Sequence, residues 1–174
     1  MTIKKIFLFL ILPFVFITCS DDKTDSPIEP GASSTGSFSA DVGSIKWDAE
    51  VVRAYKQANY TRIDGTQLIS NTQNKYSSIK IYLDIIGLKG PKLCGIGEDG
   101  NGLNYSAHAK VEATLRNGNE VQTFYGEYIE NLSLLNVTYV DDRQVRGEFE
   151  FRGYTKDAPS DSLNVLNGSF NLKF

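Results

Sequence analysis

The chain has 174 residues, with 18 Lys plus Arg against 21 Asp plus Glu, for a formal charge of −3. No stretch gathers the Lys and Arg needed to neutralise a run of phosphates, which argues against nucleic acid as a partner. One histidine, His108, and two cysteines, Cys19 and Cys94, supply neither a disulfide framework nor a Cys/His metal set, so no cofactor is expected.

Residues 1–18 read as a targeting segment. Lys4 and Lys5 precede Ile6–Ile17, twelve apolar residues broken only by Pro13. A membrane-spanning helix needs about 20 residues, whereas the apolar core of a signal peptide needs about 7–15. At Phe16-Ile17-Thr18-Cys19 the apolar run ends, and Ser20-Asp21-Asp22-Lys23 opens a polar one. A cysteine at that junction resembles the bacterial lipobox, although Phe16 and Thr18 depart from its usual residues. The resemblance implies cleavage before Cys19 and lipid attachment to its thiol, so that the membrane becomes a partner through Cys19. It also implies a cell-envelope address at the outer membrane, with Ser20-Asp21-Asp22 similar to a surface-export tag. Loss of Lys4 and Lys5 with the signal takes the charge from −3 to −5.

Residues 19–37 read as a lipid-anchored tether. The stretch is rich in Ser, Thr, Gly and Pro and nearly free of apolar side chains, so it cannot build a core. Residues 38–174 read as one domain, long enough for a core of its own.

Alternation of apolar and polar residues dominates that domain. In chain order the runs are Ile45, Trp47, Ala49, Val51; then Ile79, Ile81, Leu83, Ile85; then Tyr105 to Leu115 in steps of two. Val137 to Val140 is rich in strand formers, Val145, Gly147, Phe149, Phe151 alternate again, and Phe170, Leu172, Phe174 close the chain. A period of two places one face inside and the other in water, as in antiparallel sheets. Asn117-Gly118 is a strong hairpin signal, Asp141-Asp142 divides two strands, and Asn167-Gly168 is expected to interrupt the last segment. The expected fold is all-β: an antiparallel β-sandwich or flattened β-barrel of about eight to ten strands.

The domain opens with Phe38-Ser39-Ala40-Asp41-Val42-Gly43-Ser44-Ile45-Lys46-Trp47-Asp48-Ala49. It closes with Val145-Arg146-Gly147-Glu148-Phe149-Glu150-Phe151 and Leu166-Asn167-Gly168-Ser169-Phe170. These stretches resemble small Bacteroidetes-type lipoproteins with a single all-β domain, which open on F-x-A-x-V-x-G-x-x-W-x-A and close on V-x-G-x-F-x-F … N-G-x-F. Ser44 stands where that pattern usually has Gly. The resemblance implies an address and a fold, and carries no activity with it.

Few constellations point to chemistry. Gly95-Ile96-Gly97-Glu98-Asp99-Gly100 matches a dinucleotide fingerprint, but Asn101-Gly102-Leu103-Asn104 follows where a helix should start. A flexible loop is expected there instead, with weak cation binding by Glu98, Asp99 and Asn101 left open within Gly95–Gly102. His108 lies on the polar side of its strand with no G-x-S-x-G serine to serve. Glu148 and Glu150 share one strand face between Arg146 and Arg152, the pattern of a charged solvent face more than of a glycosidase pair. Cys94 reads as an apolar filler. Asp161-Ser162-Leu163 resembles a Bacteroidetes O-glycosylation signal, with Ser162 the acceptor. Tyr55, Tyr60, Tyr76, Tyr82, Tyr128 and Tyr154 are candidates for an aromatic contact surface, since exposed rings stack on sugars or anchor protein partners.

The sequence therefore leads to the expectation of a membrane-anchored, non-enzymatic binding module for a glycan, peptide or envelope protein. A structural envelope lipoprotein without a small ligand stands second, and a hydrolase last.

Overall fold

The computed structural model describes residues 33–57, 59–97, 106–118, 120–129, 132–158 and 160–174. Cys19, the targeting segment and the tether up to residue 32 lie outside these, as do Glu98, Asp99 and Asn101. The described chain is all-β and forms eleven strands. These are β1 Thr35–Val42, β2 Ile45–Asp48, β3 Val51–Lys56, β4 Tyr60–Leu68, β5 Tyr76–Ile86 and β6 Lys92–Gly95, then β7 Ala107–Leu115, β8 Val121–Glu127, β9 Leu134–Val140, β10 Gln144–Tyr154 and β11 Ser162–Lys173.

All eleven belong to one antiparallel sheet that curls into a half-barrel, nine of them in the order β2-β1-β11-β10-β8-β7-β5-β4-β3, with β9 and β6 branching from β10. The flattened-barrel form of the expected fold is thus the nearer one. Inward residues follow the predicted period. Ile79, Ile81, Leu83 and Ile85 of β5 meet Ala113, Val111, Ala109 and Ala107 of β7 across the ladder, all buried. Trp47, Phe149 and Phe170 pack around Phe38, with the Phe38 and Trp47 rings edge to face at 5.0 Å. Trp47 donates its Nε1 proton to the Ile79 carbonyl at 3.1 Å, so its one polar atom is satisfied inside the core. At Gly65 of β4 a Cβ would lie 2.7 Å from the Phe38 ring and 2.8 Å from Ala49, which is why no side chain fits there.

Two departures from the expected strands shape the barrel. The run Ile45–Val51 is two strands, because the chain turns a corner at Ala49-Glu50. Ala49 donates its N–H to Phe38 of β1 and Glu50 donates to Thr66 of β4, so the corner hands the chain from one end of the sheet to the other. The inward parity changes with it: Val51 faces out, and Val52 and Ala54 face in. The second departure is at Asn167-Gly168, where β11 is not interrupted but bulged. Its register against β10 shifts between Phe149 and Phe151, and Asn167 takes φ 51°. Gly168 then lies under Phe149, 2.5 Å from the ring to where a Cβ would sit.

The expected boundary at residue 38 also moves. β1 begins at Thr35, and Ser34 already bonds to β3: its N–H reaches the Val52 carbonyl at 2.8 Å, and its Oγ accepts from the Ala54 N–H at 2.7 Å. Those bonds draw the two ends of the curled sheet together.

Along one edge β10 changes partner. Val145–Glu150 pairs with β9, whereas Arg152–Tyr154 pairs with β8. The short β6 adds to β9 and reaches β7 through a bridge from Ile96 to Ala107. The sheet therefore forks at β10, and the outer surface divides into two areas, one on β4-β5-β7-β8 and one on β6-β9-β10-β11.

Candidate functional site

The first area is a belt of charges that satisfy one another. Cross-strand pairing brings Arg62 of β4 opposite Asp84 of β5, and Asp84 opposite His108 of β7. Arg62 donates to both carboxylate oxygens of Asp84 at 2.6 Å, which raises its already high pKa further, and it also donates to the Tyr55 hydroxyl at 3.3 Å. One row along, Lys110 donates to Glu112 at 2.7 Å and Tyr82 donates its hydroxyl proton to the same carboxylate at 2.6 Å. Burial pushes Glu112 up, but the hydrogen bonds from Lys110 and Tyr82 outweigh it and hold the carboxyl below the usual range. The same burial, together with the bond to Glu112, pushes the Tyr82 phenol well above its ordinary value. Asp64, only 6% exposed, faces Lys80 at 3.3 Å.

Within this belt a cavity of about 290 Å³ opens between Tyr82, Asp84, His108, Lys110 and Tyr125. His108 is half-buried there, its Nδ1 2.8 Å from the Gly97 carbonyl, so the ring is tied to the end of β6. The start of the Gly95–Gly102 stretch is strand: Gly95 ends β6, and Ile96 bridges to β7.

The candidate tyrosines are not one surface. Tyr76 is 9% exposed and belongs to the core rim, which corrects its place on a contact surface; the register shift between Tyr76 and Ser78 breaks the alternation of β5 and turns the residue inward. Tyr55, Tyr60 and Tyr82 line up on the belt, Tyr154 ends β10, and Tyr128 is exposed after β8. Cations cover several of the rings. Lys80 and Lys110 stand 4.3 and 4.1 Å from the Tyr82 ring centre, Arg62 stands 5.5 Å from that of Tyr60, and Arg152 stands 5.1 Å from that of Tyr154. Tyr125, not singled out from the sequence, has Lys156 4.3 Å from its ring centre.

The second area is an open groove of about 580 Å³ on the outside of β6, β9, β10 and β11. One cross-strand row runs through it: Leu93 opposite Asn136, Asn136 opposite Glu148, and Glu148 opposite Ser169. The neighbouring row pairs Leu134 with Glu150, and the bulge sets Asn167 beside them. Leu93 is 67% exposed, although the adjacent Cys94 is buried. No ion pair or hydrogen bond ties the Glu148 or Glu150 carboxylate to a described residue. Arg152, expected to flank them, turns instead to Ser162, donating to its Oγ at 2.8 Å. Ser162 itself stands at the first position of β11, half-buried, and not within the preceding loop.

The sequence picked out Glu148 and Glu150 but missed Leu93, Leu134 and Asn136. The available signal was Lys92-Leu93-Cys94-Gly95, a short run in which two adjacent apolar residues must face opposite sides of a strand. Cys94 takes the inner side, where burial pushes its thiol up.

No protein-family model matches the chain, and no curated protein and no solved structure matches it.

Proposed function

We propose that the chain is a lipid-anchored, non-catalytic binding module of a bacterial cell envelope. Cys19 carries the lipid at the outer membrane, and the domain meets a glycan, peptide or envelope protein at the surface. The observation that carries this reading is the groove on β6-β9-β10-β11, an open concavity in which an exposed Leu93 and the carboxylates of Glu148 and Glu150 stand without partners among the described residues. A groove of that form suits reversible contact. A hydrolase is less well supported, because the carboxylate pair lies on an open outer face and His108 sits apart from it on the belt.

Two measurements test the reading. Cys19→Ser should move the protein from the membrane pellet to the soluble fraction; retention in the pellet after a carbonate wash would sink the anchor. The mature chain carrying Cys19→Ser, screened on glycan and peptide arrays, should give a ligand whose binding is lost in Leu93→Asp. Arrays that stay blank, or a ligand indifferent to Leu93→Asp, count against the groove as the contact surface and favour a purely structural lipoprotein.

A further inference from the structure

Resting on that reading, we infer that the groove takes a cationic protein segment, an extended stretch with Lys or Arg about three residues from an aliphatic side chain. Three observations converge on this chemistry.

First, the charge is one-sided. Glu148 and Glu150 project from the same face of β10, and their cross-strand neighbours Asn136, Leu134 and Ser169 are neutral. Residues two apart on a strand lie about 6.8 Å apart, so an ammonium or guanidinium between the two carboxylates reaches both. Elsewhere on the outside, Asp84, Asp64, Glu112 and Asp41 each have a cation from this chain within 3.3 Å. Glu148 and Glu150 have no such cation among the described residues, and the groove lining holds two acids and no base, so a cation from a partner fits between them.

Second, the apolar contact is offset by a fixed distance. Leu93 on β6 is two strands from Glu148 on β10, or about 10 Å at the usual inter-strand spacing. An extended polyproline-type segment rises about 3.1 Å per residue with three residues per turn, so positions i and i+3 fall on one side about 9 Å apart. That matches an aliphatic residue on Leu93 and a basic residue between the glutamates.

Third, a sugar finds no platform here. Stacking needs an exposed ring, and the ring lining the groove, Phe149, is 3% exposed. On the belt, the Tyr82 and Tyr125 rings already have ammonium groups 4.1–4.3 Å from their centres, and the Tyr60 ring has the Arg62 guanidinium at 5.5 Å. A protein segment is thus favoured over a glycan.

The test is amide chemical-shift titration of the mature chain carrying Cys19→Ser. The probes are a blocked tetrapeptide Leu-Ser-Thr-Lys, the same peptide ending in Glu, and cellohexaose. The Lys peptide should shift the amides of Leu93, Asn136 and Ser169 and bind at least fivefold more tightly than the Glu peptide. Glu148→Gln with Glu150→Gln should remove that preference while leaving the spectrum otherwise folded. Equal binding of the two peptides, a preference that survives the double variant, or shifts confined to Asp84 and Glu112 would overturn the inference. Groove shifts with cellohexaose alone would overturn the cationic segment and leave the binding module standing. Blank arrays in the earlier screen would instead remove the module itself.

Discussion

The two outer areas are made of the same material, strands of one sheet whose outward positions include charged side chains, yet they resolve those charges in opposite ways. On β4-β5-β7, register sets each acid against a base: Arg62 against Asp84, Lys80 against Glu112, and Tyr82 between two lysines. The side chains there are half-buried under one another, and their hydrogen bonds close within the belt. On β6-β9-β10-β11, register sets Glu148 and Glu150 against amides, a hydroxyl and a leucine, and nothing closes. Charges that pair internally contribute to stability and leave little for a partner. Charges left open contribute little to stability and are available for recognition.

The largest expected effect is on the belt. Arg62→Met removes both bonds to Asp84 and leaves a half-buried carboxylate without its cation. Hydrogen bonds to charged groups contribute about 1.5–3 kcal/mol, and partial exposure screens them. The loss should be about 1–2 kcal/mol, read from urea unfolding midpoints; an unchanged midpoint would show the belt to be ornamental. The next effect depends on pH. Because Glu112 is held below its ordinary range in the folded state, it contributes stability that is present above the unfolded carboxyl value and is lost as pH falls through the lowered one. Thermal midpoints followed downward from neutral pH should therefore drop through the carboxylate range, and Glu112→Gln should flatten that drop; parallel curves would contradict the assignment. The smallest effect belongs to the groove. Glu148→Gln with Glu150→Gln should change stability by less than about 0.5 kcal/mol, as substitutions away from a paired network do. A clear destabilisation would erase the contrast between the areas.

Much of this architecture was legible in the sequence, for local reasons. The alternation of β5, β7 and β10 is an imprint of one buried face, and Asn117-Gly118 marks the β7–β8 turn because such residues tolerate its backbone. The corner at Ala49-Glu50 was not legible as such, since alternation through Ala49 and Val51 runs smoothly across it. Only the inward return of Val52 and Ala54 betrays the change of side. Asn167-Gly168 reads equally as turn or bulge, and the ladder with β10 decides between them. The groove depends on β6 meeting β9 about 40 residues later, a pairing of four residues that no local pattern announces. Glu148 and Glu150 were visible as acids, whereas their lack of counter-charge is a property of their neighbours' register.

Ser34 gives the closed seam a mechanical meaning. β1 lies between β2 and β11, with its ladder to β11 running from Thr35 opposite Lys173 to Val42 opposite Val165. Ladder bonds lie across the strand axis. A pull transmitted through the residues ahead of Ser34 first meets its bonds to Val52 and Ala54, and then strains the rungs of β1 together along the strand axis. That is the shearing direction, in which no single rung can open ahead of the rest. Tension entering at this end is shared across the ladder, and one of its rungs, Ser39 opposite Ser169, borders the groove that would hold a partner.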